Sequence, residues 1–90
     1  MVTEQAVREA LRHVMDPEIG MSVADLGMIR QVEIEGEKVA VGMVLTIPNC
    51  PLAEYLVEQV RQAVLGVEGV EEAEVNLLPE RWDPSWISRG

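Results

Sequence analysis

Six residues, Thr46-Ile47-Pro48-Asn49-Cys50-Pro51, separate two segments of different hydrophobic period, and that change constrains the fold more than any other feature of the chain. Before them Val39, Val41, Met43 and Leu45 alternate with Ala40, Gly42, Val44 and Thr46, which is the period of a strand with little wet surface. After them Leu52, Leu56, Val60, Ala63 and Val64 recur at helical spacing, while Glu54, Glu58, Arg61 and Gln62 take the opposite face. The spacing predicts a helix from Pro51 to Leu65, stopped at Gly66. Proline suits the first helical position, where its missing N–H costs nothing, so Cys50 is expected at the cap. A thiol there meets unpaired backbone N–H groups and the positive end of the helix dipole. Both favour the thiolate, the form that binds metals and attacks electrophiles.

The flanking chain reads in the same way. Thr3 is a helix cap with Val2 and Val7 placed to close a hydrophobic staple, and Val7, Ala10, Leu11, Val14 and Met15 predict a first helix over Glu4–Met15, ended by Pro17. His13 falls beside that stripe as a partly solvated side chain. Asp16-Pro17-Glu18-Ile19-Gly20 and Asp25-Leu26-Gly27 bracket an irregular connection containing Ser22-Val23-Ala24. Turn chemistry alone explains such residues. The functional reading is that the connection gathers Asp16, Glu18 and Asp25 around one site.

Arg30, Val32 and Ile34 alternate with Gln31, Glu33 and Glu35, and Glu35-Gly36-Glu37 turns this strand into a hairpin with the apolar one. The run Val70–Leu78 is expected to be a third strand, with Ala73, Val75 and Leu77 facing opposite to Glu72, Glu74 and Asn76. The order is α-β-β-α-β followed by a C-terminal coil or short strand, a two-layer α+β domain in which two helices cover one sheet face. If the second and third strands run parallel, their connection should cross over right-handed. The tail holds both tryptophans, Trp82 and Trp86. They either cover the edge of the core or line the cysteine site or a partner interface.

Ninety residues that are 48% hydrophobic form a single domain, residues 1–90, with a core built almost without aromatics. Sixteen acidic against seven basic side chains give a formal charge of −9, a surface that repels phosphate backbones and excludes nucleic acid as the expected partner. There is no Gly-rich phosphate loop. No apolar stretch approaches the roughly 20 residues of a membrane span. One cysteine makes no internal disulfide, and the start Met1-Val2-Thr3-Glu4 carries no secretion signal, so a reducing cytoplasm is the expected compartment.

Four segments together, Asp16-Pro17-Glu18-Ile19, Asp25-Leu26-Gly27-Met28-Ile29, Leu45-Thr46 with Pro48-Asn49-Cys50-Pro51, and Trp82-Asp83-Pro84-Ser85-Trp86, resemble the PaaD-like and SufT-like family of small metal–sulfur cluster assembly proteins. The resemblance implies an iron–sulfur assembly-domain fold and a role in maturing iron–sulfur proteins. It also implies a site made of Asp16, Glu18, Asp25, Thr46 and Cys50, with Cys50 the metal contact. Many relatives carry a second hydroxyl directly after the threonine, where this chain has Ile47. Relatives of the phenylacetate-degradation type often have a cysteine-rich tail, so this chain is expected to be a general assembly factor instead.

Clusters are typically held by four thiolates, and one chain offers one. No tightly bound cofactor is therefore expected, only transient contact with iron or an iron–sulfur cluster. A homodimer would supply two cysteines. The expected partners are the iron–sulfur assembly machinery and client apoproteins. Two other readings stand beside this one. A protein-interaction adaptor would use the acidic surface and the tryptophans, without metal. A thiol enzyme would need a base near Cys50, and His13 is the only histidine.

Overall fold

The computed structural model describes residues 2–17, 19–45 and 53–87. Its elements are α1 (Glu4–Leu11), β1 (Met15–Asp16), β2 (Met21–Ser22), β3 (Ile29–Glu35), β4 (Lys38–Met43), α2 (Ala53–Leu65), β5 (Glu72–Leu77) and a single 3-10 turn over Pro84–Trp86. This is the expected α-β-β-α-β order, with a hairpin of two two-residue strands added inside the first connection and, among the described residues, a coil with one 3-10 turn after β5.

The side chain of Thr3 accepts a hydrogen bond from the Ala6 amide at 3.1 Å, satisfying one donor of the first turn of α1. The helix ends four residues short of the expected Met15. Val14 is needed elsewhere: its carbonyl accepts from the Val23 amide at 2.8 Å, and Met15 and Asp16 pair with Ser22 and Met21. Asp16 also precedes Pro17, whose ring disfavours helical backbone at the residue before it. As a result His13 lies exposed in the turn after the helix, and Met15 is exposed instead of joining the apolar stripe.

β3, β4 and β5 form one sheet in that order, with β3 antiparallel and β5 parallel to the central β4. The register puts Val32 and Ile34 beside Val41 and Val39, and these beside Val75 and Ala73, on the face that the helices cover. A register shift between Ile29 and Gln31 takes Arg30 out of the alternation expected for it. Ile29 is buried while Arg30 is exposed. α2 buries Leu56, Val60 and Val64 on the sheet, and Leu52 lies outside the described residues. Leu11 and Val7 of α1 complete the core.

None of the described helices is long and apolar enough to cross a membrane. Leu56 is 1% exposed and Leu77 is 49% exposed. Leu56→Ala is expected to cost about 2–5 kcal/mol in urea unfolding, because a buried leucine leaves a cavity. Leu77→Ala should cost well under half of that, and equal losses would contradict the placement of the core.

Candidate functional site

The connection between α1 and β3 is fastened at several points. Asp16, 3% exposed, ends β1, and its carbonyl accepts from the Ile19 and Gly20 amides at 3.2 and 2.7 Å, closing the turn around Pro17. Further along, the Ser22 hydroxyl accepts from the Asp25 amide at 3.0 Å, a side-chain turn of the kind serine makes to a backbone N–H three residues on. Asp25 is half-buried. Asp16 and Asp25 therefore belong to one compact loop, tied together through the β1–β2 pair and Ser22.

The C-terminal tail holds the other end of that loop. The indole N–H of Trp82 donates to the Leu26 carbonyl at 2.7 Å. Gly27 has φ +74°, and a Cβ there would lie 2.5 Å from the Trp86 carbonyl oxygen and 2.6 Å from its Cβ, so only glycine permits this approach. The Arg30 guanidinium stands 3.9 Å from the centre of the Trp86 ring, a cation–π contact made accessible by the bulge. Asp83 caps the 3-10 turn by accepting from the Ser85 amide at 2.8 Å. That hydrogen bond lowers the Asp83 pKa from its ordinary value.

The end of β4 joins the two parts. The Val44 amide donates to the Met28 carbonyl, and the Leu78 amide to the Met43 carbonyl, both at 2.8 Å. Leu45, the last described residue before Thr46, lines a cavity of about 500 Å³ together with Leu77, Leu78, Pro79, Glu80, Arg81 and Trp82. The acidic loop, the exit of β4 and the tail thus meet at one corner. Thr46, Cys50 and Glu18, three of the five site residues expected from the sequence, lie outside the described residues. Among the described residues no three of His, Cys, Asp and Glu stand close enough to hold a metal ion.

The family model described as "Iron-sulfur cluster assembly protein" matches residues 4–77. The chain belongs to this family. The matched span takes in the acidic loop and the cysteine turn and stops before the tryptophan tail. A "Fe-S protein maturation auxiliary factor" of Porphyromonas gingivalis is 41% identical over 85 residues, covering 93% of this chain and 78% of that one. An "Iron-sulfur cluster carrier protein" of Synechocystis is 46% identical over 80 residues, covering 89% of this chain. The aligned part is only 23% of that carrier's own length. A solved domain of unknown function from Bacillus anthracis superposes with a TM-score of 0.88 at 30% identity, covering 96% of this chain and 84% of that one. The family expected from the motifs is therefore the family found, and its fold is the fold observed.

Sequence reasoning missed Ser22 and Arg30 as supports of the loop. Ser22 had a local signal in its three-residue spacing to Asp25. Arg30 had none, because its partner Trp86 is remote in sequence.

Two predictions concern the clamp between tail and loop. Gly20 also has positive φ, +81°, but nothing lies within 4 Å of its would-be Cβ. Gly20→Ala should cost only the roughly 1–2 kcal/mol of left-handed backbone. Gly27→Ala should cost more and shift the tryptophan emission, because Trp86 must move. Equal costs with unchanged emission would refute the clamp. The second prediction is a pH dependence. Because folding lowers the Asp83 pKa, its contribution is complete above the ordinary value of 3.8 and is lost as pH falls below that through the folded value. Wild-type tryptophan emission should then move toward that of Asp83→Ala, which should stay flat over the same window. A parallel drift in both proteins would assign the change to other carboxylates.

Proposed function

We propose that this chain is a non-enzymatic iron–sulfur assembly factor that handles iron or a cluster transiently through Cys50. The observation that carries the reading is the family match over residues 4–77, which includes both the acidic loop and Cys50. The Porphyromonas relative named as a maturation factor aligns over most of its own length. In this reading Asp16, Glu18 and Asp25 tune the charge around the thiolate, and Thr46 fixes the turn that presents it. A single thiolate per chain grips a cluster weakly, since clusters are typically held by four. The remaining ligands would come from carboxylates, external thiols or the Cys50 of a second copy in a homodimer. The partners are then the assembly machinery that supplies the cluster and the apoproteins that receive it. A reducing cytoplasm keeps the thiol free for this exchange.

The adaptor reading leans on Trp82 and Trp86 as partner contacts. It is weakened by the use of both inside the chain, one on Leu26 and the other against Gly27 and Arg30. Both residues are half-buried, which leaves part of their surface open to a partner.

Anaerobic reconstitution with iron and sulfide tests direct ligation. Wild type should retain iron and show thiolate-to-iron absorption, and Cys50→Ser should lose both. Equally little binding by the two proteins would remove ligation by Cys50 from the mechanism.

A further inference from the structure

Among the described residues β5 ends the three-stranded sheet, so its side away from β4 pairs with no other strand. A sheet edge of this kind presents unpaired N–H and C=O groups to any extended chain that approaches it. Two features on either side of this edge restrict which chain that is. On the helix side, Ala53 and Val57 of α2 with Val75 and Leu77 of β5 line a cavity of about 420 Å³, rimmed by Glu54 and Asn76. Leu77 stands 49% exposed there, although its register on β5 matches the fully buried Met43. On the other side, β5 carries Glu72 and Glu74, whose neighbours on β4 are Lys38 and Ala40. Glu33, Glu35 and Glu74 surround Lys38 and Ala40 in a shallow open pocket, so carboxylates outnumber the cation on this face.

Side chains of an added strand point alternately to the two faces of the sheet. One set would enter the apolar groove beside α2, and the other would lie next to Glu72 and Glu74, the glutamates of the strand it pairs with. We infer that the β5 edge takes an extended segment of a partner protein in which apolar residues alternate with lysine or arginine. A second copy of this chain does not fit the edge. Self-pairing would bring Glu72 and Glu74 of two copies onto one face, and like charges opposed across strands are destabilising. The inference uses neither Cys50 nor the acidic loop, so it stands or falls apart from metal handling.

The test titrates the full chain with a labelled short peptide of alternating valine and lysine, blocked at both ends. Saturable binding is expected by fluorescence anisotropy, with amide NMR shifts concentrated at residues 72–77. The double variant Glu72→Lys/Glu74→Lys changes only exposed side chains and should weaken binding by about tenfold. A peptide of the same charge interrupted by proline should bind far more weakly, because proline cannot donate to the ladder. Absence of binding, equal binding of the proline peptide, or shifts away from 72–77 would each overturn the proposal. So would self-association through 72–77 in sedimentation.

Discussion

Hydrogen bonding of β4 on both of its edges is the interaction on which the rest of this fold depends. One edge closes the hairpin with β3 and the other receives β5 after the chain has passed through α2. A strand paired on both sides and covered by helices must be apolar, and Val39, Val41 and Met43 are all fully buried. The consequence for function lies at its end. Val44 and Met43 bond onward to Met28 and Leu78, so the last residues of the central strand hold the acidic loop on one side and the tail on the other. Residues far apart in sequence are brought together beside Leu45, the last described residue before the segment that carries Cys50, by backbone pairing, before any side chain is considered.

This explains why the order of elements was legible in the sequence. β4 and α2 bury opposite kinds of periodic surface, and the change of period between them survives because both surfaces face the same core. The misplaced boundaries have local physical causes. Val14 and Met15 fit a helical stripe, but the pairing of Val14 with Val23 ends the helix earlier, and only the fold brings those residues together. Arg30 fits the alternation of β3, but the bulge at that point removes it. Periodicity records which face a residue prefers. It does not record an extra residue inserted into a ladder.

The site was legible to a different degree. Motif order pointed to the family, and the loop that carries Asp16 and Asp25 is built by the turn residues that suggested it. The sequence did not disclose how the loop is held, because its supports come from the tail. Trp82 and Trp86 could have covered the core or faced a partner, and spacing alone does not choose between these. In the fold Trp82 packs against the core while its indole bonds Leu26, and Trp86 closes over Gly27 under the Arg30 guanidinium. The two tryptophans of an aromatic-poor chain are thus used first on the chain itself.

That use bears on the proposed mechanism through the cost of ordering. A chain with one thiolate gains little from each ligand bond it makes to a passing cluster. If the loop had to be ordered at the moment of contact, the entropy lost would be comparable to that gain. Ser22 fixes the turn before Asp25, while Trp82 and Trp86 hold Leu26 and Gly27 after it, so the Asp25 end of the loop is held by contacts within the chain itself. On the proposed reading, weak binding is then the designed outcome: Asp25 is held in place before contact, and the shortage of thiolates limits how long a cluster stays. A second cysteine in the turn would lengthen that stay and turn a factor that passes clusters on toward one that keeps them.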